Sequence, residues 1–177
     1  MKLHKMLLLF IVFLLVGCAA GKVVGNKIVH KPKSFECDLL GEDWKINANN
    51  AYDNTALQFI NKHDGTYITI WTSQATGKNK ELEGMAILNR HFDDLAKRES
   101  TSNFKLISKD GTLLDNVKAG LGAAEYEINR IPKRIKTYDA NFNNIWYEVI
   151  LFGDRENCGK HVSEFDNFIK TFKFIRK

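Results

Sequence analysis

The chain has little cysteine, little net charge and no long apolar run, and each shortage excludes something. Three cysteines, Cys18, Cys37 and Cys158, stand far apart among 177 residues, so no paired-cysteine zinc spacing exists. Five histidines form no H-E-x-x-H, and no G-x-S-x-G elbow occurs. "GLGAAE" at Gly120 lacks the third glycine of a dinucleotide-binding loop and leads into a strand. Its two glycines read instead as a bulge or a tight approach. No catalytic motif, metal site or cofactor is therefore expected. The longest apolar run, Met6 to Val16, has 11 residues. A spanning helix needs about 20. Neither an internal repeat nor a low-complexity segment is present.

That short run has a different meaning. Lys2 and Lys5 precede it, as in the positive n-region of a secretory signal. It ends at Leu15, Val16, Gly17 and Cys18. This ending resembles the bacterial lipobox: leucine, a small or aliphatic residue, glycine or alanine, then cysteine. The resemblance implies a diacylglycerol thioether on Cys18 and cleavage before it. Residues 1–17 are then a lipoprotein signal peptide. Ala19, where an aspartate commonly marks inner-membrane retention, implies the outer membrane, facing the periplasm. Removing Lys2 and Lys5 lowers the basic count from 26 to 24 against 21 acidic residues, so the processed chain carries +3. Such a mild surplus gives no indication of nucleic-acid binding.

Residues 18–34 read as a lipidated tether. Lys22, Lys27, Lys31 and Lys33 are spread along it without an acidic residue between them. They either attract anionic headgroups or only keep a linker solvated. The domain proper is placed at 35–177. "DWKINA" opens a strand. Ala56–Lys62 and Thr66–Ser73 flank Asp64-Gly65, a hairpin turn signal. A helix is predicted over Asn79–Glu99, with Leu82, Met85, Leu88, Phe92 and Leu95 on one stripe. Strands follow at Phe104–Ser108, Leu121–Arg130, Lys133–Tyr138 and Ile145–Phe152. Asp110-Gly111 reads as a turn, and the last three strands as an antiparallel meander. A final helix over Gly159–Thr171 buries Val162, Phe165, Phe168, Ile169 and Phe172, and "FKFI" closes the chain as a strand.

Four stretches, "DWKI", "ALQFINKHDGTYITIW", "IWYEVILFGD" and "FDNFIKTFKF", carry a resemblance to the PsbP-like family over roughly residues 44–175. That family spans an extrinsic photosystem II protein, a nuclear-import factor that binds the Ran GTPase and many bacterial lipoproteins. The resemblance implies an α+β fold: an antiparallel sheet with two main helices packed on it, as an α/β/α sandwich. It also implies work by binding proteins, not by catalysis, and it supplies no shared active site.

Single residues have bland and functional readings. His91 with Asp93 and Asp94 is the nearest approach to a ligand cluster, but these spacings do not converge on a helix, and the site reads as a solvated face. Trp71, Trp146 and Tyr147 either line a partner-binding face or pack as core. Cys37 and Cys158, exported to an oxidising compartment, are expected to form a disulfide, with two unrelated buried thiols as the rival reading. The chain is thus expected to be a lipid-anchored envelope protein with a protein partner. The alternatives are a small-ligand binder with a pocket between sheet and helix, and a hydrolase with dispersed catalytic residues.

Overall fold

Asparagine and aspartate at turns organise the fold. The structure is a computed structural model that describes residues 21–47 and 54–176. Its strands are β1 (Lys22–Val24), β2 (Lys27–His30), β3 (Phe35–Asp38), β4 (Trp44–Ile46), β5 (Thr55–Asn61), β6 (Tyr67–Gln74), β7 (Thr101–Leu114), β8 (Val117–Ile128), β9 (Ile131–Phe142), β10 (Ile145–Asp154) and β11 (Lys173–Phe174). Its helices are α1 (Gly84–Ala96), α2 (Arg155–Lys160) and α3 (Val162–Thr171), with 3₁₀ turns at Lys31–Lys33 and Gly77–Glu81.

Strands β7 to β10 form an antiparallel meander joined by three two-residue turns: Asp115-Asn116, Asn129-Arg130 and Asn143-Asn144. All six of these residues have φ between 46° and 66°. A two-residue hairpin matches strand twist when both residues are left-handed, and Asn and Asp tolerate that conformation best among residues with a side chain. Asp110-Gly111, read as a turn, lies inside β7 instead, with Asp110 opposite Leu121 and Gly111 opposite Gly120. The turn falls at Asp115, where Gly111's freedom is not needed. Asp64-Gly65 does make the β5–β6 turn, with Gly65 at φ 72°.

The large sheet has the order β4-β5-β6-β10-β9-β8-β7, and a small sheet has the order β1-β2-β3-β11. Side chains alternate across the large sheet. Tyr147, Val149 and Leu151 of β10 point to one face, where Phe165, Phe168 and Phe172 join them in the main core. The small sheet covers the same face through Ile28, Phe35, Cys37 and Phe174. On the opposite face, Leu88, Phe92 and Leu95 of α1 pack on Ala124, Tyr126, Ile135 and Ile150. The sandwich therefore has α1 on one side, and α3 together with a second sheet on the other.

Two expectations change here. Residues 21–34 are not a tether: β1 and β2 form a hairpin about Gly25 (φ 61°), and Ile28 and His30 are buried against the domain. "VVGNKIVH" alternates around a glycine-asparagine turn, and the lysines of residues 21–34 lie outside the core. Cys37 and Cys158 are not bonded. Both are free, fully buried and beyond disulfide distance. Cys37 fills a place opposite Ile28 between the sheets, while Cys158 sits on α2 beside β9 and β10. Each packs as a small hydrophobe, and burial pushes both thiols up to about 12. Cys18 and the signal residues 1–17 lie outside the described residues.

Candidate functional site

Helix α1 covers only part of its face of the sheet. It packs on β7, β8 and β9, and small residues bring it close. A β-carbon added to Gly120 would stand 2.8 Å from Cβ of Leu88, and one on Gly122 would stand 2.5 Å from the Phe92 ring. The two glycines of "GLGAAE" thus mark a tight helix–sheet approach. Beyond the covered strands, β10, β6 and β5 keep an open stretch of the same face. A pocket of about 550 Å³ lies there, beside the C-terminal half of α1.

Its floor is apolar and aromatic, with Ile60, Trp71, Ile135, Ile150 and Phe152. Tyr67, Phe152 and Tyr126 form a stacked row across β6, β10 and β8, with centroid separations of 6.5 and 6.4 Å. Its polar side is sparse. Gln58 accepts from Asn47 at 2.6 Å and donates to Thr69 at 3.1 Å, so these three side chains satisfy one another. The Thr55 and Thr101 hydroxyls, by contrast, are buried without a hydrogen-bond partner among the described residues. Arg98, just past the end of α1, brings an exposed guanidinium to the rim and makes no ion pair among the described residues.

The wall nearest α1 contains His91. It is not solvated: its side chain is 8% exposed, and Nδ1 stands 3.4 Å from Asp139 and 3.5 Å from Glu148. The partners lie on β9 and β10, not at Asp93 and Asp94. Asp139 is fully buried and also accepts from the Thr137 hydroxyl at 2.6 Å. Burial alone would lower the imidazole's pKa, but the hydrogen bond and charge of Asp139, with Glu148 behind them, hold it above its ordinary value. Burial holds the Glu148 carboxyl above its ordinary value, partly offset by His91. The cluster therefore favours the imidazolium form of His91, with Asp139 as its nearer partner and Glu148 as its farther one. Its chemistry is charge neutralisation within a wall, with one ring edge of His91 presented to the pocket.

The three aromatics divide between the readings. Tyr147 is core, fully buried, and donates to the Lys33 carbonyl at 2.5 Å. Trp71 lines the pocket. Trp146 is half-buried on the same face, donating to the Asn79 carbonyl at 3.2 Å beneath the Arg90 guanidinium. A second, half-buried polar group ties the far side of the domain together. His161 contacts Asp64 and Glu164, each at 3.0 Å, and Glu164 accepts from the Trp44 indole at 2.7 Å. These contacts join the β5–β6 turn, β4 and the start of α3. Among the described residues, no set of three or more His, Cys, Asp and Glu side chains is placed to hold a metal ion, and no helix is long and apolar enough to cross a membrane.

An antiparallel sheet with a helix on one face, and a helix and small sheet on the other, defines the PsbP-like fold, and this chain adopts it. It is similar to the cyanobacterial PsbP (CyanoP) of Synechocystis sp. PCC 6803, with a TM-score of 0.63 and 10% identity over 89% of this chain and 98% of that one. LpqN of Mycobacterium tuberculosis, described as involved in cell envelope biogenesis, gives 0.61 and 12% over 89% of this chain and 88% of that one. A crystal structure from Bacteroides thetaiotaomicron gives 0.57 and 12% over 88% of this chain and 50% of that one. At these identities the likeness is one of fold. No protein-family model and no curated protein sequence matches the chain.

Proposed function

We propose that the chain is a lipid-anchored envelope protein that works by binding, and that the pocket beside α1 takes a small, mainly apolar ligand. The pocket carries this reading: about 550 Å³ of open space is within the size range of small-molecule sites, which are mostly apolar with a few polar groups. Thr55 and Thr101 also line the pocket, and their buried hydroxyls have no hydrogen-bond partner among the described residues. Anchoring rests on Leu15 to Cys18, with Ala19 favouring an outer membrane facing the periplasm. The described relation of LpqN to the cell envelope supports the same compartment.

The pocket is tested with anilinonaphthalene sulfonate, an environment-sensitive apolar dye. Its fluorescence should rise on the folded protein and fall away in Ile150→Trp, which fills the floor. Dye binding unchanged by that substitution would place the site elsewhere. The anchor is tested by Cys18→Ala, which should leave an unprocessed, unacylated precursor; a variant still cleaved and acylated would overturn it. Protein docking, the other binding reading, has its own observation. The outer edge of β7 is unpaired among the described residues, and Leu106, Ile107 and Leu113 are exposed on that strand. A partner held there should be lost in Leu106→Asp/Leu113→Asp while dye binding persists.

A further inference from the structure

Positive charge is concentrated at one end of the domain. The two 3₁₀ turns, the β7–β8 and β9–β10 turns and the start of β1 lie together there. Ala75 donates to the Asn144 carbonyl at 2.8 Å, Asn141 to the Lys80 carbonyl at 2.8 Å, and Ile175 to the Ser34 carbonyl at 2.9 Å. Tyr147, near the start of β10, reaches the Lys33 carbonyl. Gly21, entering β1, packs beside Ile28, Val29 and His30.

Lys22, Lys31, Lys33, Lys78 and Lys80 stand at this end without an ion pair among the described residues, all exposed except the half-buried Lys33. Lys118, Lys173 and Arg176 are there too, matched by Glu83 and Asp115. Glu81 and Glu36, the latter in the same cross-strand row as Lys22 and Lys173, are the other described carboxylates at this end. Eight bases against four acids leave a surplus of four, whereas residues 18–177 as a whole carry only +3. The rest of the domain is therefore net negative, and the asymmetry is larger than the total charge suggests. Leu113, 59% exposed, stands next to the β7–β8 turn among these lysines.

Chain length points the same way. Only Ala19 and Ala20 separate Cys18 from Gly21. An extended chain spans at most about 3.5 Å per residue, so Cys18 would sit within roughly 10 Å of Gly21, the residue before β1. That is about one Debye length at moderate ionic strength, within which surface charges still act.

We infer that this basic end is a docking face for an anionic phospholipid surface, against which lysine ammonium groups meet headgroup phosphates. The short anchor and the charge then act together. The lipid holds this end at the bilayer, and the lysines set the body's orientation. The pocket, at the other end of α1, is carried away from the membrane. The distance argument rests on the anchor proposed above; the charge argument does not.

The test uses the processed chain carrying Cys18→Ser, which has no lipid to hold it, mixed with phosphatidylcholine vesicles with or without phosphatidylglycerol. Co-sedimentation should be at least about tenfold stronger with phosphatidylglycerol and should fall as salt is raised. Lys31→Glu/Lys78→Glu/Lys80→Glu should abolish the preference. The matched reversal Lys97→Glu/Arg130→Glu/Lys160→Glu, away from this end, should retain it, with circular dichroism showing that both are folded. Equal sedimentation with the two vesicles, or equal loss in the two triple variants, would overturn the docking face. Mass spectrometry of the native protein reports the lipid on Cys18 separately, so failure of the anchor is read apart from failure of the face.

Discussion

His91→Leu is the most informative single substitution. It keeps the volume of the side chain and removes the charge that Asp139 and Glu148 share. Asp139 would remain fully buried with the Thr137 hydroxyl as its one side-chain hydrogen-bond partner, and Glu148 would remain with a side chain only 22% exposed. Removing one member of a buried pair costs about 3–5 kcal/mol, because the charge left behind has no compensation. For a domain of this size each kcal/mol moves Tm by about 2–4 °C, so the loss is on the order of 10 °C. Its pH dependence is diagnostic. His91's folded pKa is raised, so its contribution is full below the ordinary imidazole value of about 6.5 and is lost as pH rises through the folded value. As pH falls, Glu148, whose carboxyl burial holds above its ordinary value, takes up a proton, the need for a counter-charge lessens, and the variant loses less. The difference in unfolding free energy between the two proteins should be bell-shaped in pH, measured by urea denaturation at acid, neutral and alkaline pH. His91→Leu/Asp139→Leu should recover much of the loss, since replacing both partners is far cheaper than removing one. A flat difference below about 1 kcal/mol at every pH would refute the charge-sharing account.

Three further outcomes follow from the geometry. Cys37 and Cys158 should both react with a thiol reagent only in denaturant, and reductant should leave Tm unchanged; a bonded pair by mass spectrometry would contradict the structure. Gly84→Ala should lift the first turn of α1 and cost about 3 kcal/mol, the upper part of the overpacking range: its β-carbon would meet the backbone of β8 and β9, with the Gly120 nitrogen at 2.5 Å, whereas Gly111→Ala has its nearest contact at 3.9 Å and should be close to neutral. Burial opposes the charge on Asp115, but the Phe174 amide, Lys173 and Arg176 outweigh it and hold its carboxyl below the ordinary value; the stability this adds is present above an unfolded pKa of about 3.9 and is lost as pH falls through the folded one, so Asp115→Asn should cost about 1–3 kcal/mol at neutral pH and little near pH 2.

The elements that could be read from the sequence are those whose signal is local. The stripe of α1 from Met85 to Leu95, the Asp64-Gly65 turn and the strand over Ile145–Phe152 each depend on neighbours a few residues away, and each appears in the fold. The misreadings also have local causes. Asp110-Gly111 has the chemistry of a turn, but β7 continues through it, with Gly111 paired to Gly120, whose missing side chain gives α1 room. The β1–β2 hairpin was hidden by its lysines. In a two-stranded edge ribbon, every outward position can be charged while a few inward residues, here Ile28 and His30, do the burying. The cysteines had a plausible compartment and no geometry, and pairing requires geometry.

The site was hidden for a more general reason. His91, Asp139 and Glu148 come from a helix and two strands, 48 and 57 residues from the histidine, and no periodicity within one element relates them. A trace was nevertheless present. Asp139 and Glu148 interrupt apolar strands, in "TYDANF" and "WYEVIL", at positions that pair directly across β9 and β10. An ionisable residue inside such a strand is costly unless a partner meets it. Two of them opposite one another, on one face, require a shared counter-charge from whatever element covers that face. The covering element is α1, and His91 is the only residue in it that can be neutral while the helix docks and charged once the carboxylates are beside it. Asking what satisfies an acidic strand residue would have led to His91, and from His91 to the uncovered part of the sheet beside it.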